Sequence, residues 1–565
     1  MKHKFLFSLS ISLFVFALFI RLLLLQALPL DRIINVDEIE LASSTQGLLA
    51  GLTPTTLTWP ANSLLLISET AYGIYMLSNL GGTSISDFGK ALATQAGMFY
   101  FDPVPLVSIG RLIVALLSSA VTIPVFLWGN KLFSRPVGIL MGSFIALSPF
   151  TAMQSITFSS HSVALLPFAV FLFLLLTPQV ITTKNYIWGG ICLGLALTLT
   201  YSYAIFVIIP ILLFLIGRIN NKATSTVKVD IRNLMYFFVS LTITVILFLP
   251  QIWTAPLIVA KSLIGNVFAT QGSGLTEVFT IHFPSLVGIL GLLFISIGVL
   301  LSVTIKKYRY STYGVIVGFS TLLFLLPFFR SGASYTRHLL PLLPLAAFFI
   351  GVLADWLSDF TLKVTSRSLV VIGVGAFIII PMVIQVLDMR QRQSQPNSQE
   401  QCIDWIEQNL PSNSHLLVNG DYQGQLNRNR ASLSIQLEVW NNFENRKRRA
   451  ALLLNQDAAF ISPTLIYIAS QVDPINEYIT RNALWLLDSG YLPTPSYELS
   501  FYLPKDELSR QDQITATTLP VLLTLPEAIS AVTEDRVDYL LSFHDIPELE
   551  RQHIYADEGC VIYQS

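Results

Sequence analysis

The chain has 565 residues, of which 53% are hydrophobic and 12% charged, with a formal net charge of −1. Soluble domains carry about 25% charged residues, so an ordinary soluble protein is excluded. The near-neutral balance, without a basic tract, gives no footing for a nucleic-acid partner, and three cysteines are too few for a disulfide-dense scaffold or a zinc ribbon.

Long apolar runs separated by short polar loops predict a polytopic α-helical membrane protein. The N-terminal Met-Lys-His-Lys precedes an apolar stretch from Phe5 to Leu30. That stretch exceeds a signal-peptide core of about 7–15 residues and is followed by no good cleavage site, which points to a retained first helix. About eleven spans follow from runs of some 15–25 residues: 5–29, 104–128, 137–153, 162–177, 187–200, 203–217, 233–255, 285–304, 312–329, 338–357 and 368–387. Only Tyr201-Ser202 separates the fifth from the sixth, which predicts a tight hairpin or a partly re-entrant piece.

Positive charge sets the expected orientation. With the N-terminus inside, the inner segments carry fourteen Lys and Arg, among them Lys2, Lys131, Arg135 and Lys307, while the outer loops carry Arg32, Lys90, Lys261, Arg330 and Arg337. The expected topology is a multi-pass protein of the plasma (inner) membrane with a cytoplasmic N-terminus. The long loop 31–103 and everything after about residue 390 then lie outside.

Two domains are expected, a transmembrane domain at 1–390 and a soluble extracytoplasmic α/β domain at 391–565. The polar run Gln391–Ser398 reads as the linker. Beyond it, Glu400–Leu410 and Lys447–Leu454 read as helices, and His415–Asn419, Thr464–Ala469 and Val537–Leu541 as strands. Cys402 and Cys560 stand near the ends of this domain on the oxidising side, where a disulfide is chemically permitted but its geometry is not legible in sequence.

The first acidic feature outside the membrane is Asp37-Glu38. The residues from Glu38 to Leu49 suit a helix lying along the membrane surface, with Asp37 near an N-terminus that favours an ionised carboxylate. Acidic residues are also ordinary in outer loops and at caps, and the pair alone is a weak motif. A further surface or re-entrant helix is expected from Ser63 to Asn79.

Arg21 and Arg111 lie in apolar stretches, in the outer half of the bilayer. Intramembrane cations face a bundle interior or a polar cavity, or snorkel to the headgroups, and both readings stay open here. The outer turn from Arg330 to Pro341 brings Arg330, Arg337 and His338 together. Arginine's planar fork matches a phosphate, so the turn is a candidate phosphate grip, with a headgroup anchor as the alternative. His161, Asp102 and Trp59 are weaker candidates for substrate contact. No metal-ligand spacing, glycine-rich phosphate loop or Gly-x-Ser-x-Gly motif is present.

Together these segments resemble the GT-C glycosyltransferases, in particular the protein O-mannosyltransferases and the lipid A aminoarabinose transferases. The resemblance rests on Asp37-Glu38 after the first span, Arg111-Leu112-Ile113 opening the second and Lys131-Leu132-Phe133 at the inner turn. It continues with Ala146-Leu147-Ser148-Pro149-Phe150 closing the third span and Arg337-His338-Leu339-Leu340-Pro341-Leu342-Leu343-Pro344 near the end. It covers about the first 390 residues.

The resemblance implies transfer of a sugar from a polyprenyl-phosphate donor to an extracytoplasmic protein, lipid or glycan, with inversion. Asp37 would be the general base, with Glu38 beside it. Arg337, Arg330, Arg111 and His338 would hold the donor phosphate. No cofactor is implied, and no acidic second site supports a metal. Where the family often has His-Pro-Pro-Leu, this chain has Thr58-Trp59-Pro60-Ala61-Asn62-Ser63-Leu64, which leaves the acceptor unassigned. The rival readings are a non-enzymatic transporter or flippase of lipid-linked sugars, and a polysaccharide polymerase or ligase using diphosphate-linked donors. Transporters tend to show paired repeats with interrupted helices, and none is found in the chain.

Overall fold

The structure is a computed structural model. It describes residues 2–28, 38, 41–42, 44–46, 61–79, 104–177, 182–219, 231–249, 280, 283–305, 307, 309–329, 335–361, 367–394, 398–419, 426, 428–442, 447–448, 482–484, 486–487, 494–503, 522–534, 536–542, 546, 549, 553–557 and 560–565. They form two compact units, one comprising Met1–Asn79 and Val104–Ser394, the other within Gln395–Ser565.

The first unit is helical. Its elements are α1 (Lys2–Ala27), α2 (Asn62–Asn79), α3 (Val104–Ala120), α4 (Thr122–Leu132), α5 (Arg135–Leu147), α6 (Pro149–Gln154), α7 (Ser160–Leu176), α8 (Thr183–Leu199) and α9 (Ile208–Ile219). There follow α10 (Ile231–Phe248), α11 (Phe283–Thr304), α12 (Arg309–Phe329), the single turn α13 (Tyr335–His338), α14 (Leu342–Thr361) and α15 (Arg367–Gln393).

Among the described residues, five helices are long and apolar enough to cross a membrane: Phe5–Ala27, Val104–Leu132, Ile231–Phe248, Leu342–Phe360 and Ser368–Gln393. This is the make-up of a multi-pass membrane protein. Other predicted spans fall on shorter apolar helices such as Arg135–Leu147 and Ser160–Leu176, so eleven crossings are not established. The expected hairpin at Tyr201-Ser202 is instead a 3-10 turn, Tyr201–Val207, running directly into α9.

Helix ends and contacts follow from local chemistry. Pro136 and Pro149 open α5 and α6, where a helix has a spare N–H and a fixed φ costs nothing. The last carbonyls of α7 lack intrahelical donors. Asn185 Nδ2 donates to Leu174 O at 3.1 Å, and Ser311 Oγ to Leu176 O at 2.6 Å. α8 meets α10 backbone to backbone at Gly190, where a Cβ would fall 2.3 Å from Phe237 O. Apolar solvent gives helices little reason to associate except close packing, and small residues permit it.

The second unit is α/β. Helix α16 (Ser398–Asn409) precedes β1 (His415–Asn419). The chain continues through α17 (Arg430–Asn441), β2 (Glu498–Leu503), β3 (Leu522–Thr524), α18 (Leu525–Thr533), β4 (Tyr539–Ser542), β5 (His553–Asp557) and β6 (Cys560–Gln564). The strands form one sheet in the order β3-β2-β1-β4-β6-β5. β1, β2, β3 and β4 run parallel, with Leu417 beside Ser500 and Leu540, whereas β6 is antiparallel to both β4 and β5.

Alternation along β1 sends Leu416 and Val418 to one face, with Cys402, Ile406 and Leu541. It sends Leu417 to the other, with Tyr502, Ala528 and Val532. Burial on both faces is what a parallel sheet requires. The predicted strands at His415–Asn419 and Val537–Leu541 correspond to β1 and, shifted by one or two residues, β4. Of the predicted helix Lys447–Leu454 only Lys447 and Arg448 are described, as helical. The predicted strand Thr464–Ala469 lies outside the described residues. Cys402 is disulfide-bonded and Cys192 is free. The third cysteine, Cys560, begins β6.

Candidate functional site

Arg111 stands in the second turn of α3, 2% exposed. Glu38 is fully buried and meets it through two parallel bonds. Arg111 Nε donates to Glu38 Oε1 at 2.9 Å, and Nη2 donates to Oε2 at 2.8 Å. The backbone N–H of Phe158 donates to the same Oε1 at 2.7 Å. Phe158 lies between α6 and α7, and its ring rests on Gly110, where a Cβ would fall 2.5 Å from the ring carbons. A glycine one residue before Arg111 therefore lets the 158 segment approach closely enough to bond the carboxylate.

Three residues after Phe158, His161 sits in the first turn of α7. Its ring meets that of His338 edge to face, with centroids 4.9 Å apart and an interplanar angle of 82°. Both histidines are 4% exposed. His338 closes the short turn α13, next to the half-buried Arg337. The segment 158–161 thus links the Glu38–Arg111 pair to His338 and Arg337, residues spread over 300 positions of the chain.

Several expectations change. Arg111 does not snorkel and does not offer its Nε–Nη2 edge to a phosphate, because Glu38 occupies that edge. Glu38 accepts from a guanidinium and a main-chain N–H, which makes it an anchor for Arg111 and Phe158. A helix along the membrane surface is expected from Glu38 to Leu49. Glu38, Leu41, Ala42, Ser44, Thr45 and Gln46 are all helical and all buried. At 3.6 residues per turn these buried positions span a little over half the circumference. Asp37, Trp59, Asp102 and Arg330 lie outside the described residues.

Arg21 takes the first of its two alternatives and faces the bundle interior. It is fully buried, so it neither snorkels nor reaches a lipid headgroup. Nη1 donates to Ala17 O at 3.0 Å and to Ala146 O at 3.2 Å, and Nε to Ser118 Oγ at 3.3 Å. Ala146 belongs to the last turn of α5, whose carbonyls lack intrahelical donors and carry the negative end of the helix dipole. Ser118 lies seven residues from Arg111 on α3, hence on the same face and about 10.5 Å along the axis.

The sequence reading missed the parts of the site that are main chain or empty space, the Phe158 N–H and Gly110. The one available signal for the second was a glycine directly before a membrane arginine. At the opposite end of α14 another buried carboxylate is held: Lys307 Nζ lies 2.7 Å from Asp355, which is fully buried, and 3.6 Å from Asp359. Among the described residues no group of three His, Cys, Asp or Glu comes together in a way that could hold a metal.

No family model matches the chain, and no curated protein matches it. Among solved structures it is similar to ArnT from Cupriavidus metallidurans bound to undecaprenyl phosphate, at 11% identity over 97% of each chain, with a TM-score of 0.47. The apo state of the same ArnT gives 12% identity and a TM-score of 0.46 over 100% of this chain and 98% of that one. The oligosaccharyltransferase AglB from Archaeoglobus fulgidus, in complex with an inhibitory peptide and a dolichol-phosphate, gives 13% identity and a TM-score of 0.43. That likeness covers 71% of this chain and 58% of AglB. At these scores the likeness assigns nothing to individual residues.

Proposed function

We propose that this chain is a membrane glycosyltransferase of GT-C type. It takes a sugar from a polyprenyl-phosphate donor and passes it, with inversion, to an acceptor on the extracytoplasmic side of the plasma (inner) membrane. The observation that carries the reading is the convergence of Glu38, Arg111, His161 and His338 through the single segment 158–161. An acidic anchor beside a histidine pair and an arginine is a costly arrangement inside an apolar bundle, and intramembrane ionisable groups of this kind mark sites.

In this reading Asp37 is the general base. An aspartate with an ordinary pKa near 3.9 is ionised at neutral pH but too weak to deprotonate a hydroxyl in advance. It therefore takes the proton as the acceptor oxygen attacks the anomeric carbon. The new C–O bond forms as the bond to the phosphate oxygen breaks. The phosphate leaves with that electron pair and is stabilised by Arg337, with His338 and Arg330 beside it. Glu38 fixes the residue before it in the chain, through its bonds to α3 and to the 158 segment. Arg111 is then a positioning residue. His161, Asp102 and Trp59 remain the candidates on the substrate side, and the donor's single phosphate separates this reading from a polymerase or ligase using diphosphates.

The test is Asp37→Asn in membranes supplied with polyprenyl-phosphate sugars. Transfer should be abolished with insertion and folding unchanged, whereas a flippase would keep moving its lipid. Transfer by the variant at the wild-type rate would remove the assignment.

A further inference from the structure

Arg21 is a fully buried guanidinium, and among the described residues it has no carboxylate partner and its Nη2 no hydrogen-bond partner. Arg111, two turns from Ser118 on the same face of α3, is paired with Glu38; no side chain among the described residues neutralises Arg21. Its acceptors are two peptide carbonyls and a hydroxyl. The C-terminal dipole of α5 supplies at most about half an elementary charge. Arginine stays protonated in proteins, so a net positive charge is fixed inside the bundle at substantial cost. A brace between three helices needs hydrogen bonds and shape, which neutral side chains supply. An uncompensated cation supplies in addition a field.

Resting on the function proposed above, we infer that Arg21 is a positioning residue for the anionic end of the donor. It holds the site at positive potential without touching the lipid, favouring a polyprenyl monophosphate over the neutral polyprenol. Acting over about 10 Å across an effective dielectric of about 20, a unit charge changes affinity by on the order of tenfold for each charge on the phosphate. Because Arg21 is shielded from water, salt screens this field less than it screens a surface charge.

The experiment compares binding of a polyprenyl monophosphate and of the corresponding polyprenol to the purified full chain, by native mass spectrometry in lipid nanodiscs. Wild type should retain the monophosphate preferentially. Arg21→Lys, which keeps the charge and loses the fork, should retain that preference. Arg21→Gln, which keeps an N–H donor and loses the charge, should lose on the order of tenfold per phosphate charge in monophosphate affinity with polyprenol binding unchanged. Ser118→Asp leaves Arg21 in place and adds a carboxylate beside it, and it should reproduce the Arg21→Gln loss. It also carries the test should Arg21→Gln fail to fold. Unchanged monophosphate affinity in Arg21→Gln or Ser118→Asp overturns the inference, as does an equal loss in Arg21→Lys and Arg21→Gln, which marks a brace. A wild type that does not distinguish monophosphate from polyprenol instead overturns the donor assignment beneath it.

Discussion

Removing one half of the Glu38–Arg111 pair is the most direct perturbation of the site, and its cost follows from the three bonds Glu38 accepts. Arg111→Ala takes two of those three bonds from the buried Glu38 carboxylate. Breaking a buried pair in this way costs about 3–5 kcal/mol, because the surviving charge loses its counter-ion. Glu38→Ala removes the carboxylate paired with Arg111 and also the acceptor of the Phe158 N–H, and an unsatisfied buried donor adds about 1–3 kcal/mol. Glu38→Ala should therefore be the worse single change. Replacing both by apolar residues of similar volume, as in Glu38→Leu with Arg111→Met, removes both charges of the pair together and takes the acceptor from the Phe158 N–H. The double variant should be more stable than either single one. Thermal unfolding of the four proteins in one detergent gives the ranking directly. Single variants melting within about 1 °C of wild type, or a double variant showing the sum of the two losses, would refute the pairing and the burial inferred for it.

Gly110→Ala places a methyl 2.5 Å from the Phe158 ring and should shift the 158 segment off Glu38, lowering stability and transfer together. The combined Gly110→Ala, Phe158→Ala variant should recover part of the loss, checked by unfolding temperature. At the other end of α14, Lys307→Met should destabilise more than Asp355→Asn. The first leaves a fully buried carboxylate without its lysine, and the second removes the charge needing compensation. In the second unit, burial and then the neighbouring Asp404 raise the Glu407 carboxyl above its ordinary value. A carboxyl raised on folding binds protons more tightly in the folded state, so its stabilisation is present at low pH and fades as pH rises through the folded pKa. Glu407→Gln should flatten that decline above about pH 4.5, read as hydrogen exchange of the α16 amides in the full chain.

Apolar runs located most of the helices, because length and hydropathy are local properties. The site was legible only as separate candidates. Nothing local ties residue 38 to residue 111, and the donor from Phe158 is main chain, which no side-chain pattern reveals. Arg21 stayed open between the bundle interior and the headgroups because depth along one helix is all the sequence offers. Its enclosure depends on Ser118 and on the end of α5, both remote in the chain. The segment after Glu38 read as amphipathic because Ile39, Leu41, Leu48 and Leu49 imply one apolar face. Burial of Ser44, Thr45 and Gln46 came from neighbours that no pattern in those residues announces.

The placing of β6 between β4 and β5 imposes an order of assembly. β5 is synthesised first but among the described strands pairs only with β6, so it stays unattached to them until the later strand has inserted beside β4. Removing only Cys560–Gln564 would thus strip an interior strand, detach β5, and uncover β4 on the side where Leu541 faces Ile562. A short C-terminal deletion should cost this unit more than the loss of a whole edge strand such as β3.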